Sequence, residues 1–375
     1  MIRSNAIERV RGAKRVVIKV GSSLLADPEN PEGINLAMVR VLRDEIRVLR
    51  ERGVDVVLVS SGAVSMGREI MRGMNRPFDT DSLVRKQALS SIGQSRLMAV
   101  YAREFAEVGL PVAQLLLTAR DFRHRRAYLN IGHTLEELRK LGVVPIVNEN
   151  DAVSTQELRF GENDLLSAAV ATLYRAELLA ILTSVGGFLM DGERVPFLER
   201  VGPAELAEAR GPEGPGSGGM QAKVRAAQLC LQSGEVMAIL PGRHSAPVSA
   251  LFGGEDIGTV FCTARTEKLS ARKRWILYAI AEGALVVDGG ARRALAERGS
   301  SLLPAGILST RGNFLAGDVV EILDEVGGVI GRGIVEYSFR ELEPMLGRRS
   351  VDLKEEGLSP RGEVVLHRNN LILER

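Results

Sequence analysis

Short apolar segments alternate with longer segments in which apolar residues recur every three or four positions. The segments 15–20 and 55–59 are rich in Val and end next to Gly or Ser, which is typical of buried strands. Between them, apolar residues from Leu36 to Leu49 are spaced as one face of a helix within 35–50. The same alternation predicts further strands at 112–117, 143–147, 178–182 and 236–240, and further helices at 125–141, 162–174 and 220–233.

This alternation favours an α/β fold, with a mostly parallel sheet sandwiched by helices. The pattern ends near a charged stretch at 265–274. The later segments 285–288, 319–323 and 331–337 are short, apolar and separated by Gly, Pro and Asp, which is typical of a small β barrel or sandwich. We therefore predict an α/β domain at 1–258, a linker at 259–274, a small β-barrel domain at 275–355 and a C-terminal tail at 356–375.

Composition removes several classes of protein. The chain has 375 residues, of which 45% are hydrophobic, so it is not a disordered polypeptide. Its two cysteines, Cys230 and Cys262, cannot form a disulfide framework and have no ligand-spaced partners for zinc. A net charge of +2 is too close to neutral for a dedicated nucleic-acid-binding protein. Since no apolar run reaches the roughly 18 residues of a membrane helix and no signal peptide is evident, we expect a cytoplasmic protein.

Polar and glycine-rich segments follow the predicted strands, at the edge where parallel sheets bind ligands. Lys19–Ser23 follows the first strand, Ser60–Ala63 the second and Asn148–Asp151 a later one. Gly161–Asp164 and the glycine-rich stretch that ends at Lys223 each lead into a predicted helix. Free N–H groups in such turns and at helix N-termini bind phosphate oxygens, so these segments are candidates for a phosphate site.

Two lysines point to the same chemistry. Only eight of the 49 Lys and Arg residues are Lys, yet Lys19 and Lys223 both lie in glycine-rich turns, where a compact charge suits a phosphate. Acidic side chains nearby are suited to Mg²⁺ that bridges nucleotide phosphates, and the combination predicts phosphoryl transfer. Neither GxxxxGK(S/T) nor GxGxxG occurs at a strand-to-helix turn, which weighs against a P-loop kinase and a Rossmann dehydrogenase.

Each of these patterns, taken alone, also has a purely structural interpretation. The Gly-Ser-Ser turn is ordinary turn chemistry, and the stretch 211–219 is compatible with a linker. Asp164 is equally compatible with a capping carboxylate at a helix start. The four histidines share no ligand spacing, and we predict no metal-ligating residues.

Several longer stretches resemble the glutamate 5-kinases of the amino acid kinase superfamily, in which the kinase is fused to a C-terminal PUA domain. They keep the family's order and spacing over nearly the whole chain. In the first domain they are VVIKVGSSLL (16–25), VVLVSSGAVSMGRE (56–69), KQALSSIGQSRLM (86–98), PVAQLLLT (111–118), VVPIVNENDAVST (143–155), GENDLLSA (161–168) and GSGGMQAKV (216–224). In the second they are RKRW (272–275), ERGSSLLPAGI (297–307) and GNFLAGDVVEI (312–322). The resemblance implies the amino acid kinase fold followed by a small β-barrel PUA domain.

The resemblance also implies that ATP, with Mg²⁺ bridging its phosphates, phosphorylates the γ-carboxylate of L-glutamate to γ-glutamyl phosphate. This is the first step of proline biosynthesis, and proline commonly inhibits the family. Lys19 and Lys223 would contact the transferring phosphoryl group, and Asp164 would organise both lysines. Two further sets of residues are implied, namely Ser61, Asp151 and Asn163 for glutamate, and Lys19, Gly21, Ser22, Thr183, Ser184, Ser217, Gly218, Gly219, Met220, Gln221, Ala222 and Lys223 for ATP.

The chain departs from the family at Ser184, where members often carry Asp after Thr, so the contacts to adenine and ribose are left open. Two alternative functions remain open as well. One is an RNA-binding protein that acts through the PUA domain, with a basic patch formed by Arg272–Arg274 and Arg311. The other is a different carboxylate kinase of the superfamily, such as acetylglutamate kinase or aspartokinase.

The resemblance favours the glutamate enzyme and implies its partners. Its substrates would be L-glutamate and ATP. Family members associate through the kinase domain, which implies a homo-oligomer, either a dimer or a tetramer. The acyl phosphate product is labile, which is compatible with its transfer to a glutamyl phosphate reductase. Neither nucleic acid nor a membrane is an expected partner.

Overall fold

The computed structural model describes residues 2–30, 32–75, 82–154, 163–210, 218–264, 269–358 and 361–373. The chain divides into two compact units. The first contains Met1–Asp121 and Arg126–Lys268, and the second contains Phe122–Arg125 and Leu269–Arg375. Among the described residues, no helix is both long and apolar enough to cross a membrane.

Strands and helices alternate along the first part of the chain. The strands are β1 (Arg15–Val20), β2 (Asp55–Val59), β3 (Val112–Leu117), β4 (Val144–Glu149), β5 (Leu178–Thr183), β6 (Leu189–Met190), β7 (Glu193–Arg194), β8 (Phe197–Leu198), β9 (Val236–Pro241) and β10 (Thr259–Phe261). The helices are α1 (Ile2–Arg11), α2 (Ser22–Leu25), α3 (Leu36–Glu51), α4 (Ala63–Gly73), α5 (Leu83–Ala106), α6 (Ala119–Arg123), α7 (Arg125–Lys140), α8 (Asn163–Tyr174), α9 (Pro203–Glu208), α10 (Gly218–Ser233) and α11 (Pro247–Gly253). The elements that the apolar pattern predicts are present, and their ends differ from the predicted ones by at most two residues.

Eight strands form one sheet in the order β3-β4-β2-β1-β5-β9-β10-β8. All neighbours in this order are parallel except β9 and β10, which are antiparallel. The strands β1, β2, β4, β5 and β9 are buried almost throughout, as is usual where helices cover both faces of a parallel sheet. The predicted α/β class with a mostly parallel sheet is therefore confirmed.

Helices α4 and α5 approach each other closely because each presents a glycine to the other. A Cβ atom on Gly67 of α4 would lie 2.0 Å from the carbonyl oxygen of Leu89. A Cβ atom on Gly93 of α5 would lie 1.9 Å from the carbonyl oxygen of Ala63. Both distances are far below van der Waals contact, so only glycine fits at either position. The contact holds the middle of α5 against the first turn of α4.

The second unit contains a five-stranded sheet. Its strands are β11 (Ala281–Val287), β12 (Ile307–Gly312), β13 (Val319–Leu323), β14 (Val329–Val335) and β15 (Leu366–Leu373), and its helices are α12 (Ala271–Tyr278), α13 (Gly289–Arg298), α14 (Phe339–Leu342) and α15 (Ser350–Glu355). The order is β12-β11-β13-β14-β15, in which β11 and β13 are parallel and the other neighbours antiparallel. Leu285, Ile322, Val335 and Tyr337 belong to its buried core. The β-rich second domain that the sequence predicts is present as this sheet.

Two strands lie in segments where no strand is expected from the sequence. Strand β10 belongs to the first sheet although it falls in the expected linker, 259–274. Strand β15 pairs with β14 although it falls in the expected tail, 356–375. Arg368 and Asn369 in the middle of β15 are exposed and polar, so this strand lacks a continuous apolar run. For β10, three residues are too few to show a period.

Of the four residues expected to form a basic patch, Arg272 and Arg311 are exposed and Lys273 is half-buried. Arg274 is buried, with 5% of its surface exposed. Arg272 donates a hydrogen bond from Nη1 to Asn370 Oδ1 of β15 at 2.8 Å. Burial therefore withdraws Arg274 alone from the expected patch, and Arg272 keeps an exposed position beside β15.

We expect Gly93→Ala to destabilise the first unit, because the added Cβ must push α5 away from the backbone of Ala63. Overpacking of this kind costs about 1–3 kcal/mol, which urea denaturation would show as a lower midpoint. Gly73→Ala at the end of α4 is the matched control, since nothing lies within 4 Å of its Cβ position. A Gly93→Ala midpoint equal to that of the wild type would contradict the close contact of the two helices.

Candidate active site

Four strand ends meet at one edge of the first sheet. The strands β4, β2, β1 and β5 are adjacent and parallel, so their carboxyl ends lie side by side. Helices α8 and α10 begin with Asn163 and Gly218. The polar residues at these strand ends are Lys19 on β1, Ser60 and Ser61 after β2, Asn148 and Glu149 on β4, and Thr183 on β5.

One buried carboxylate joins the two lysines that the sequence singles out. Asp164 Oδ1 lies 2.5 Å from Lys19 Nζ, and Asp164 Oδ2 accepts a hydrogen bond from Lys223 Nζ at 2.9 Å. The exposed fraction is 0% for Asp164, 5% for Lys19 and 9% for Lys223. Two ammonium groups from distant parts of the chain therefore lie against the same carboxylate.

The charge state of Asp164 follows from two opposing effects. Burial by itself raises the pKa of this carboxyl group, whereas the charges of Lys19 and Lys223 and their hydrogen bonds lower it. The net effect is a pKa below the ordinary value for Asp, because two cations lie at hydrogen-bond distance. Asp164 is therefore ionised at neutral pH, and each of its oxygens is engaged by a lysine.

Glycines lie beside both ammonium groups. Lys223 Nζ also donates to the carbonyl oxygen of Gly219 at 2.9 Å, so this side chain runs back along the first turn of α10. A Cβ atom on Gly219 would lie 3.7 Å from Lys223 Nζ, and one on Gly21 would lie 3.8 Å from Lys19 Nζ. The backbone at Gly21 and Gly219 is thus within reach of whatever the two lysines bind.

A second polar cluster surrounds Asn163, the residue before Asp164. Asn163 Nδ2 donates to the carbonyl oxygen of Ser60 at 2.6 Å, to Ser61 Oγ at 3.0 Å and to Asn148 Oδ1 at 2.9 Å. These bonds link the first turn of α8 to the ends of β2 and β4. Because Asn163 and Asp164 are consecutive, this cluster lies directly beside the lysine pair. The arrangement suits a polar ligand next to an anion.

Helix α5 contributes residues to this region that the sequence analysis did not assign. Ser90 Oγ donates to Asp151 Oδ2 at 3.1 Å. Gln94 Oε1 accepts a hydrogen bond from Asn148 Nδ2 at 2.8 Å. Ser90 and Gln94 lie within the matching stretch 86–98, but a helix with scattered polar residues gives no sign of which ones face a site. Only the approach of α5 to the sheet edge reveals them.

The structure gives few contacts for the remaining residues that the resemblance implies for ATP. Thr183 is buried at the end of β5, and its carbonyl oxygen accepts from the N–H of Gly242 at 2.8 Å, whereas Ser184 is exposed. Ser22 is exposed in the first position of α2. Met220, Gln221 and Ala222 lie half-buried near the start of α10, Gly218 is its first residue, and Ser217 lies outside the described residues. Their roles in binding ATP stay predictions.

No protein-built metal centre is found within the part of the chain that the structure describes. There, no group of three or more His, Cys, Asp or Glu side chains is arranged to hold a metal ion. Asp164, which is more deeply buried than Glu149 at the same sheet edge, has both oxygens engaged by lysines.

The parallel sheet and the buried Lys–Asp–Lys arrangement fit a phosphoryl-transfer enzyme, and comparison with known proteins also gives a kinase. Residues 14–240 match the model of the amino acid kinase family, and residues 283–357 match the PUA domain. The first match covers more than half of the chain, so the chain is a kinase of that family. A solved carbamate kinase from Giardia lamblia bound to AMP-PNP aligns with a TM-score of 0.47 and 19% identity, covering 68% of this chain and 99% of that one.

Curated relatives identify the family within the amino acid kinases to which this chain belongs. The glutamate 5-kinase of Geobacter metallireducens is 40% identical over 374 residues, covering 97% of this chain and 98% of that relative. A glutamate 5-kinase of Thermus thermophilus is 41% identical over 371 residues, covering 96% of this chain and 98% of that relative. This chain therefore belongs to the glutamate 5-kinase family, and the resemblance found in the sequence is confirmed.

We expect Asp164→Asn to destabilise the protein strongly. The variant leaves two buried ammonium groups against a neutral amide, and breaking a buried ion pair costs about 3–5 kcal/mol. Because the pKa of Asp164 is lowered from an ordinary value of 3.8, its contribution is present above that pH and is lost as the pH falls through the folded-state pKa. The stability difference between wild type and variant should therefore shrink below pH 3.8.

Thermal unfolding followed across pH measures this difference. The matched control is Glu51→Gln, which removes a carboxylate from an exposed pair with Arg47 at 2.7 Å. Such a pair is worth less than about 1 kcal/mol. If both variants shift the midpoint equally, the buried ion pairs of Asp164 do not stabilise the fold.

Proposed function

We propose that this kinase transfers the γ-phosphoryl group of ATP to the γ-carboxylate of L-glutamate. The observation that carries the proposal is the pair of adjacent clusters at the start of α8. Asp164 joins Lys19 to Lys223, while Asn163 joins Ser61 to Asn148. A phosphate group at the lysines and an amino acid at the polar cluster would then be neighbours.

The chemistry requires little from the protein beyond position and charge. A glutamate side chain has a pKa near ~4.3 and is ionised at neutral pH, so no general base is needed. Its oxygen attacks the γ-phosphorus, a new O–P bond forms, and the bond to the β,γ-bridging oxygen breaks to release ADP. The obstacle is the repulsion between two anions. Lys19 and Lys223 supply positive charge in a buried site, where such charge is most effective.

Mg²⁺ would bind at this site together with the nucleotide. Since both oxygens of Asp164 are engaged by lysines, the ion would be held mainly by phosphate oxygens. When bound, it would neutralise part of the phosphate charge. Asp164 would keep the two ammonium groups apart and oriented, and it would not serve as a metal ligand.

The acceptor would bind at the second cluster. Ser61 and Asn163 are linked by a hydrogen bond of 3.0 Å, and Asp151 is held by Ser90 Oγ at 3.1 Å. The carboxyl group of Asp151 suits the ammonium group of an amino acid, and the hydroxyl of Ser61 suits a carboxylate oxygen. This division of roles explains why the site would select an amino acid with a free amino group over an N-acetylated one.

The proposal also covers the pathway of the reaction, its inhibition, the oligomeric state, a partner enzyme and the cellular location. The family relationship supports a role in the first step of proline synthesis, with inhibition by proline. It also supports a homo-oligomer, transfer of the labile product to a reductase, and a cytoplasmic location. Each of these stays a prediction. The family relationship favours the kinase over the RNA-binding alternative, and Arg274 of the expected basic patch is buried.

A substrate panel tests the proposed reaction. With ATP and Mg²⁺, we expect trapping with hydroxylamine to give an acyl hydroxamate from L-glutamate but not from L-aspartate or N-acetyl-L-glutamate. Repeating the glutamate assay with added L-proline tests feedback inhibition separately. Turnover of N-acetylglutamate or aspartate in preference to glutamate would show that the chain is another carboxylate kinase.

We expect Lys19→Ala to lose at least about 100-fold in kcat, because removing one preorganised donor from a comparable site costs about 2.7–4 kcal/mol. Lys14→Ala is the control, since Lys14 is an exposed lysine just before the same strand. Coupled ADP release measures both variants. Near-normal turnover of a folded Lys19→Ala protein would remove Lys19 from the mechanism.

A further inference from the structure

Gln94 on α5 has a buried side-chain amide whose oxygen is hydrogen-bonded and whose nitrogen is not, within the described part of the chain. Its side chain is 8% exposed, and Oε1 accepts from Asn148 Nδ2 at 2.8 Å. Its Nε2 has no hydrogen-bond partner among the described residues. Buried amide groups are nearly always hydrogen-bonded, and the bond that Gln94 makes connects it to Asn148.

The bond from Gln94 fixes which way Asn148 faces. Asn148 Oδ1 accepts from the N–H of Glu149 at 2.9 Å and from Asn163 Nδ2 at 2.9 Å. These two bonds require the oxygen of Asn148 on one side and its NH₂ group on the other, where Gln94 Oε1 accepts it. Without that acceptor, the buried NH₂ group of Asn148 would have no partner on this side.

The orientation of Asn148 in turn fixes that of Asn163. Asn163 Nδ2 donates to Asn148 Oδ1, to Ser60 and to Ser61, so its NH₂ group faces the ends of β2 and β4. Its Oδ1 lies on the opposite side of the same planar amide. If Asn148 were reversed, two NH₂ groups would face each other, and Asn163 would lose one of its three acceptors.

We propose that Gln94 is a positioning residue for the acceptor amino acid, acting through Asn148 on Asn163. The inference rests on the proposed function, since it assigns Asn163 to the amino acid and the lysines to the nucleotide. Gln94 contacts neither Lys19 nor Lys223 by any described hydrogen bond or ion pair. Its loss should therefore weaken binding of glutamate and leave ATP and the chemical step nearly unchanged.

Gln94→Met, which keeps the length of the side chain and removes the acceptor, tests this. We expect KM for glutamate to rise roughly tenfold, because a buried donor on Asn148 is left unpaired. We expect kcat and KM for ATP to stay within about twofold. Ser95→Ala is the control, since Ser95 is exposed on the same helix and, among the described residues, its Oγ donates only to the carbonyl oxygen of Ile92 in that helix.

A double-mutant cycle separates positioning from a merely structural role. In an Asn148→Ala background, Gln94→Met should raise KM for glutamate by less than about twofold, because the residue through which it acts is gone. An effect that persists in that background would overturn the proposal, as would equal rises in KM for both substrates. If Gln94→Met folds poorly, Gln94→Ala carries the same expectations, since it also lacks the acceptor.

The outcomes also distinguish this inference from the proposed function. A wild-type protein that turns over no glutamate contradicts the proposed function and this inference with it. A wild-type protein that phosphorylates glutamate, together with a Gln94→Met variant whose KM for glutamate stays within about twofold, contradicts this inference alone.

Discussion

The site depends on one buried carboxylate between two ammonium groups. Lys19 comes from the central strand of the sheet and Lys223 from α10, and Asp164 is the group that both contact. Burying charge is costly, and two lysines close together would repel each other. Asp164 offsets both effects and holds each Nζ at a defined position. The sheet, α8 and α10 are therefore linked to one another by the same ion pairs that bring the two ammonium groups together.

This arrangement also restricts what Asp164 can do. Its pKa is lowered and each oxygen is occupied, so it is a poor candidate for accepting a proton during the reaction. A reaction whose nucleophile is already ionised has no need of such a group. In the proposed reaction Asp164 would then serve for orientation, which is the larger requirement when two anions must meet.

The sequence predicts more of the fold than of the site. The strands at 55–59, 112–117 and 319–323 are predicted to the residue, because each is an apolar run bounded by turn residues. Strand β15 is missed because its middle is polar and exposed. At the site, the order of adjacent parallel strands brings Lys19 and Asn148 to one edge, which topology rules anticipate. Gln94 is different, because helical spacing alone cannot separate a site-facing amide from a solvated one.

Packing between α4 and α5 explains why α5 can place Ser90 and Gln94 beside the site. Gly67 and Gly93 let α4 and α5 touch backbone to backbone, and further along α5 Tyr101 is buried in the core, with its hydroxyl 2.9 Å from Ser60 Oγ. Ser60 is in turn the residue whose carbonyl accepts from Asn163. Helix α5 therefore contacts the polar cluster around Asn163 at several points along its length. Because α5 carries both the glycine contact and these polar contacts, the proposed fit of the acceptor would depend on the core as well as on the residues that line the site.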